Sequence, residues 1–322
     1  MSLRSSVLLF FLLAAAHRGL SQAPQTPAAP DTKSTSAADA PGFSLRVETT
    51  LVLIPVNVTD ASNRFVLGLD KENFGVFENG VRQKVTHLSG EDAPLSVGLL
   101  VDISGSMGAK LDISRQAASQ FLKTMNPQDE AFVVEFSDRA KLVVGFTHHT
   151  DEIKDKITAL ESQGLTAMLD AVNLGLTEMK KAKNPRKALL IISDGGDNNS
   201  RYTSKEIEDL VREADVQIYS MGVFEPYSYL ARSMAELSGP RLLSEISQQT
   251  GGRAFAAPND SVLPTIAKKI GIELRNQYVL AYTPSNQERD GKYRHVEVKL
   301  KEPQGLSALK ARWRSGYYAP AQ

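Results

Sequence analysis

The sequence of 322 residues contains no cysteine. Disulfides, thiolate metal sites, cysteine nucleophiles and acylated lipoprotein cysteines are therefore excluded. The chain also has no excess of charge, because 37 Lys and Arg residues balance 37 Asp and Glu residues. This balance argues against a nucleic acid or an anionic membrane as the partner of the whole chain. Beyond the N-terminus there is no apolar run long enough to cross a bilayer, so stability must come from an ordinary core.

The N-terminal region does not have the pattern of a folded core. Arg4 precedes the apolar run Val7–Ala16, which is too short to span a bilayer and is followed by small residues. We predict that residues 1–22 are a signal peptide, with cleavage between Ala16 and Ala23; an uncleaved anchor is the alternative. Residues 23–43 are rich in Pro, Ala, Ser, Thr and Asp, which is typical of a flexible linker. The chain is therefore expected to be exported, to the periplasm or outside the cell.

Segments with β-like patterns flank the centre of the chain, at residues 44–92 and 273–322. Asn79 and Gly80 separate two such runs and predict a hairpin, because both positions tolerate a positive φ. Pro55 suggests that its strand lies at a sheet edge. The predicted strands are Val47–Val58, Phe74–Phe77, Val81–Leu88, Gln277–Thr283, Arg294–Leu300 and Leu309–Tyr318. We predict that the two segments form one small sandwich; two unrelated extensions are the alternative.

Between these segments, residues 93–272 alternate strand-like and helix-like stretches. Val97–Val101 and Ala188–Ile192 are continuous apolar runs, as expected for strands covered on both faces. Further strands are predicted at Ala131–Phe136, Lys141–Phe146 and Val216–Val223, the first two as an antiparallel pair. Helices are predicted at Leu111–Met125, Asp151–Leu160, Met168–Ala182, Thr203–Ala214, Leu242–Gln249 and Ser261–Arg275. This alternation predicts an α/β fold with a doubly wound, mainly parallel sheet.

Three predicted loops at the carboxyl edge of this sheet carry oxygen ligands. The first contains Asp102, Ser104 and Ser106, which point the same way because they alternate along an extended turn. The second loop contains Thr166 and the third Asp194. In open parallel sheets such loops meet near the topological switch point, where ligands bind. A set of carboxylates and hydroxyls suits Mg²⁺, with Mn²⁺ or Ca²⁺ as alternatives, better than zinc or copper.

This order of residues resembles the metal-ion-dependent adhesion site of von Willebrand factor type A (VWA) domains, over roughly residues 94–272. The resemblance implies a Rossmann-like sheet with one antiparallel edge strand. It also implies that Ser104, Ser106 and Thr166 are near ligands of the ion, and that Asp102 and Asp194 bind directly or through water. Asp170 follows Thr166 by one helical turn and has two interpretations: it orients Thr166, or it is an acid favoured at a helix N-terminus.

The flanking segments resemble a narrower group. Glu72–Gly80, Tyr278–Pro284 and Gly316–Pro320 are similar to the exported VWFA-related proteins abundant in acidobacteria. Because that family has no assigned biochemical role, this likeness bears on architecture more than on function.

The function expected from the site is adhesion. A bound Mg²⁺ would accept an Asp or Glu carboxylate from another protein, with no catalysis. One alternative is an enzyme, with Asp102 as a phosphoryl acceptor or Ser104 as an acyl-transfer nucleophile. The first lacks a second acid two residues on, and the second lacks a Gly-x-Ser-x-Gly elbow and an evident His partner. Another alternative is a structural protein in which the metal only stabilises the loops.

Overall fold

The structure, a computed structural model, describes residues 51–321 with gaps at 91, 224–233, 258, 304 and 306–307. The predicted signal peptide and linker, and the start of the predicted Val47–Val58 strand, lie outside the described residues.

The centre of the described chain is a six-stranded sheet in the order β10-β9-β8-β5-β6-β7. Its strands are β5 (Leu95–Asp102), β6 (Glu130–Phe136), β7 (Ala140–Thr147), β8 (Arg186–Ser193), β9 (Gln217–Val223) and β10 (Ala254–Ala257). Every pair is parallel except β6 and β7, which are antiparallel. The prediction of a mainly parallel sheet with an antiparallel edge strand is thus confirmed.

Helices cover both faces of this sheet, because strands such as β5 are buried along their whole length and must be screened from water on each side. The helices are α1 (Leu111–Leu122), α2 (Thr150–Thr158), α3 (Met168–Met179), α4 (Ser204–Glu213), α5 (Met234–Gln249) and α6 (Leu263–Arg275). Residues of α1, α2 and α6 contribute to one core, and residues of α3, α4 and α5 to the other. The predicted capping box is present at α4, where Thr203 and Glu206 exchange hydrogen bonds. No helix in the described ranges is long and apolar enough to cross a membrane.

The flanking segments form two four-stranded sheets, in the orders β13-β1-β11-β4 and β14-β12-β2-β3. Their strands are β1 (Val52–Thr59), β2 (Phe74–Glu78), β3 (Val81–Gln83), β4 (Val85–Ser89), β11 (Tyr278–Tyr282), β12 (Tyr293–Leu300), β13 (Lys310–Trp313) and β14 (Gly316–Tyr318). Ile54, Val76, Leu280 and Val298, one from each of four strands in both sheets, belong to one buried core. The two segments therefore form one sandwich, as predicted, and each sheet contains strands from both ends of the chain.

The hairpin prediction is confirmed at Asn79 and Gly80, whose φ values are 47° and 80°. Four details were predicted wrongly. Val81–Leu88 is two strands, β3 and β4, which lie in different sheets. Leu309–Tyr318 is two strands, because the chain leaves β1 after Trp313 and joins β12 at Gly316, in the other sheet. The short strand β10 was missed, since its Ala-rich sequence has a low β propensity. β1 is an interior strand, although Pro55 itself lies beyond the residues that pair with β13.

Candidate metal centre

The topology brings the first and third predicted loops together. β5 and β8 are adjacent and parallel, so Asp102 at the end of β5 lies near Asp194, which directly follows β8. Both carboxylates are buried, Asp102 completely at 0% exposure and Asp194 at 3%. The structure thus places two acidic side chains at the carboxyl edge of the sheet, where a parallel α/β fold forms its ligand sites.

Both carboxylate oxygens of Asp102 accept hydrogen bonds from groups of the same chain. The backbone N–H of Ser104 donates to Oδ1 at 2.9 Å, and the hydroxyl of Ser193 donates to Oδ2 at 2.5 Å. The pKa of Asp102 is raised to about 7, chiefly by burial; the hydrogen bonds from Ser104 and Ser193 limit the rise, and the charge of Asp194 adds to it. A buried carboxylate with this environment favours a cation beside it, because a cation stabilises the ionised form.

The two serine hydroxyls of the first loop lie close together. Ser104 Oγ and Ser106 Oγ are 3.2 Å apart. Neighbouring ligands of an octahedral Mg²⁺ are separated by about 2.9 Å, given metal–oxygen distances of about 2.0–2.1 Å. Ser104 is buried whereas Ser106 is exposed, so the group of oxygens opens to solvent on the Ser106 side.

The second loop is fastened to the first through the backbone. Gly105 N–H donates to the Gly164 carbonyl at 2.9 Å, and Gln163 N–H donates to the Ile103 carbonyl at 2.7 Å. The Ser162 hydroxyl donates to the carbonyl of Ser104 at 2.5 Å. These bonds bring the segment that precedes Thr166 against the Asp102–Ser106 loop.

Thr166 is itself held by the third loop. Its N–H donates to the side-chain oxygen of Asn198 at 2.9 Å, and its carbonyl accepts the N–H groups of Asn198 and Asn199, both at 3.0 Å. Thr166 is only 4% exposed. The second and third loops are therefore tied together, and the three predicted loops form one interconnected cluster.

The turn after β8 depends on glycine. Gly195 has a φ of +79°, and a Cβ placed there would lie 2.6 Å from the backbone of Gly239. Its N–H donates to the Ser193 hydroxyl, while Gly196 N–H donates to Asp194 Oδ1 at 3.3 Å. The Gly-Gly pair after Asp194 thus allows a tight turn that presents the carboxylate.

Lys110 was not anticipated at this site. Its Nζ lies 3.3 Å from Asp194 Oδ2, and both side chains are largely buried. The cluster therefore combines two carboxylates with one ammonium group. Sequence reasoning missed this contact because the two residues are 84 positions apart.

Asp170 does not act on the Thr166 side chain. Its carboxylate accepts the N–H groups of Arg201 and Tyr202 and the Nε–H of Arg201. It is an acid of the first turn of α3, and this part of the earlier interpretation is correct. Asp197 was also missed as a connecting residue. It accepts the N–H of Leu169 at 2.8 Å and joins the third loop to the same helix.

The donor set of the loop cluster determines which kind of ion it suits. Among the described residues, no three His, Cys, Asp or Glu side chains come together in a way that could hold a metal. Any ion at the loop cluster must therefore rely on the hydroxyls as well as the two carboxylates. Such a set fits a hard divalent cation, Mg²⁺ above all, and is poor for zinc or copper.

Comparison with known proteins identifies the domain type. The family model described as von Willebrand factor type A domain matches residues 97–196, which contain all five predicted site residues. Within the α/β part of the chain, residues 97–196 thus have the sequence pattern of a VWA domain. Among solved structures, "von Willebrand factor type A from Catenulispora acidiphila" is 13% identical, with 85% of this chain and 73% of that chain covered at a TM-score of 0.48.

Curated relatives match parts of this chain at low identity. An uncharacterised protein from Borreliella burgdorferi is 24% identical over 200 residues, covering 56% of this chain and 58% of that protein. Human inter-alpha-trypsin inhibitor heavy chain H3 is 24% identical over 152 residues, covering 42% of this chain and 17% of its own length. The human voltage-dependent calcium channel subunit alpha-2/delta-2 is 21% identical over 154 residues, with coverage of 44% and 13%. This chain therefore spans somewhat over half of the first relative and less than a fifth of the other two.

Proposed function

We propose that this protein is an exported, non-enzymatic adhesion module that binds another protein through a divalent cation. Mg²⁺ would be held by Asp102, Ser104, Ser106, Thr166 and Asp194, and an Asp or Glu of the partner would complete its coordination. The likeness to VWA-containing proteins supports a binding role of this kind, and the likeness of the flanking segments to the exported acidobacterial group is part of the same proposal. The observation that carries it is the arrangement of two buried carboxylates beside a hydroxyl, that of Ser106, which faces solvent.

The charge of the cluster explains why an external carboxylate would be attracted. Serine and threonine hydroxyls are neutral, so Asp102 and Asp194 supply the negative charge, and Lys110 offsets part of it. When bound, Mg²⁺ supplies a positive centre that the protein does not fully neutralise. An acidic side chain approaching from the Ser106 side would then find an unbalanced positive charge in a partly desolvated position.

The rim of the cluster indicates what would surround the partner's acid. Leu165, next to Thr166, is 50% exposed. Its N–H donates to Asp138 Oδ1 at 2.8 Å, and the side chain of Asn199 donates to the Asp138 carbonyl, so this apolar residue is presented by a fastened loop. We propose that the partner places an apolar group against Leu165 next to its acidic residue.

The geometry supports binding better than catalysis. The nearest hydroxyl partner of Ser104 Oγ is Ser106 Oγ, which is not a base. His148 bonds through Nδ1 to the carbonyl of Asp129, which directly precedes β6 and so lies at the opposite, amino edge of the sheet. Asp102 is fully buried, with both oxygens hydrogen-bonded, and is poorly placed to attack a phosphoryl group.

The experiment has two stages. First, Mg²⁺ is titrated calorimetrically into the metal-free chain and into Asp102→Ala, with Asp112→Ala as a matched control, because Asp112 is an exposed acid in the first turn of α1. We expect binding in the wild type and in the control, and none in Asp102→Ala. Second, each protein is used to capture binding partners from the native cell envelope in Mg²⁺ and in chelator.

Capture that depends on both Mg²⁺ and Asp102 would support the proposal. Its carboxylate step is tested by replacing acidic residues of the captured protein with their amides, one of which should abolish binding. Undiminished capture in excess chelator would refute the adhesive function. A cation that raises the melting temperature without any cation-dependent capture would instead indicate a structural metal.

A further inference from the structure

A cavity lies where the sandwich meets the α/β domain, at the edge of the parallel sheet opposite to the candidate metal centre. It has a volume of about 550 Å³ and is lined by residues of both parts. Arg253 directly precedes β10, at the amino edge of the parallel sheet, whereas Asp102 and Asp194 lie at the carboxyl edge. We call this space the seam cavity and define it by Gly252, Arg253, His295, Arg312, Trp313 and Ser315.

The register of the sandwich turns Arg312 toward the α/β domain. β13 pairs with β1 so that Arg312 lies opposite Asn57. Directly paired residues project from the same face of a sheet. Asn57 donates to the Tyr219 hydroxyl at 3.2 Å and to Glu273 Oε1 at 3.4 Å, both in the α/β domain. The Arg312 side chain therefore enters the seam from the sandwich side.

The other arginine of the seam already has its partners. Arg253 lies 3.3 Å from Glu273 Oε2, and its guanidinium stacks 4.5 Å above the ring of Phe255. Glu273 is fully buried and also accepts a hydrogen bond from Tyr219 at 3.2 Å. The single negative charge of Glu273 is thus largely balanced by Arg253.

Arg312 is different. Within the described part of the chain, its side chain makes no hydrogen bond and no ion pair, although it is partly buried. Burial lowers the pKa of Arg312 and the neighbouring charge of Arg253 lowers it further, while Glu273 acts in the opposite direction. An arginine has five N–H donors in a planar fork and remains charged, so leaving it without an acceptor in a partly dry place is costly.

We propose that the seam cavity binds a small oxyanion, a phosphate or a carboxylate, on the guanidinium of Arg312 with Arg253 beside it. Both anions match the planar fork of arginine and can accept two parallel hydrogen bonds. The volume is within the range of roughly 300–1,000 Å³ typical of small-molecule sites. This site is independent of the proposed adhesive function, because it uses the opposite edge of the sheet and a ligand that needs no metal.

The chain contains its own reporter for this cavity. Trp313 lines it and is the only tryptophan in the sequence. The full chain, freed of divalent metal so that carboxylates have no ion to bind, is titrated separately with inorganic phosphate and with succinate at constant ionic strength. Tryptophan fluorescence locates binding at the cavity, and calorimetry detects binding that leaves the fluorescence unchanged.

Matched variants test the role of Arg312. In Arg312→Gln we expect affinity to fall at least about tenfold, the loss typical of a charge-assisted hydrogen-bonded contact. Arg312→Lys, which keeps the charge but not the fork, should lose less. Arg82→Gln makes the same charge change at an exposed position of the sandwich, and it should bind like the wild type. Melting temperatures identify any variant that fails to fold.

The two titrations distinguish a phosphate ligand from a carboxylate ligand. Saturable binding of phosphate alone, of succinate alone or of both assigns the ligand class. The proposal is overturned if neither anion binds saturably below about 10 mM. Equal affinities in the wild type and Arg312→Gln would overturn it as well.

Discussion

The charged clusters at the two edges of the central sheet have net charges of opposite sign. At the carboxyl edge, Asp102 and Asp194 face the single ammonium of Lys110. At the amino edge, Arg253 and Arg312 face the single carboxylate of Glu273. Each cluster is one opposite charge short of neutrality. Since partly buried unmatched charge is costly, each edge would gain from a ligand of the missing sign, as proposed above: a cation at one edge and an oxyanion at the other.

A third buried charge, in the sandwich, shows what a complete structural site looks like in this molecule. Glu78 accepts hydrogen bonds from the hydroxyls of Tyr282 at 2.9 Å and Tyr317 at 2.8 Å on the same oxygen. Burial is the main cause that raises the pKa of both tyrosines, and the charge of Glu78 and the hydrogen bonds to it act in the same direction. This carboxylate has its hydrogen-bond partners within the sandwich, whereas the cluster at each sheet edge lacks one opposite charge.

The largest effect is expected at the carboxyl edge, from Asp102→Asn. Mg²⁺ affinity should fall at least about 100-fold, because a charged group of the site is replaced by a neutral isostere. The metal-free protein should become more stable by about 1–2 kcal/mol, since a buried charge is removed while the amide oxygen can accept from Ser104 N–H and the amide NH2 can donate to the Ser193 hydroxyl. Calorimetry and urea unfolding measure the two effects. Unchanged Mg²⁺ affinity would remove Asp102 from the site.

At the amino edge, Glu273→Gln should have the opposite effects on stability and on ligand affinity. Stability should fall by about 2–3 kcal/mol, because Arg253 then lacks its buried partner. Oxyanion affinity should rise severalfold, as the seam becomes more positive. Glu297→Gln, a change at a half-exposed acid of β12, is the control for both measurements. If stability is unaffected by Glu273→Gln, the charge account of this edge is wrong.

Lys110→Met tests how far Lys110 balances the negative charge at the carboxyl edge. We expect Mg²⁺ affinity to rise about tenfold, because the ion no longer competes with an ammonium group for Asp194. The metal-free chain should lose about 1–2 kcal/mol, as Asp194 is left without a counter-charge. Lys123→Met at the exposed end of α1 should change neither quantity. A fall in Mg²⁺ affinity would mean that Lys110 supports the ion instead.

The smallest effect on stability is expected from Leu165→Ala. An exposed side chain contributes little to folding, so the free energy of unfolding should stay within about 0.5 kcal/mol and Mg²⁺ affinity should not change. Partner capture should nevertheless weaken, because the apolar rim is removed. If capture is also unchanged, the rim is not part of the binding surface.

Much of the fold could be predicted from the sequence because local patterns and global topology agree. The apolar runs of β5 and β8 and the Asn79-Gly80 turn each predicted the element that is observed. The failures occurred where pairing overrides local preference. β10 contains three alanines and is a strand through its pairing with β9, and the chain between β13 and β14 changes sheet without a strong turn signal.

The site was predictable only in part for a similar reason. The spacing of Asp102, Ser104 and Ser106 is local and can be read from the sequence. The contributions of Lys110 and Ser193 depend on residues brought together from 84 and 91 positions away. The unpaired Arg312 could not be recognised either, because only the register of β13 against β1 shows which face it occupies.

A crystal of the full chain grown in Mn²⁺, with anomalous data, tests the central claim most directly. We predict an anomalous peak within about 2.5 Å of the hydroxyl oxygens of Ser104 and Ser106, with an open position toward solvent. The claim is contradicted if no peak appears between the three loops, or if protein side chains occupy every position around the ion.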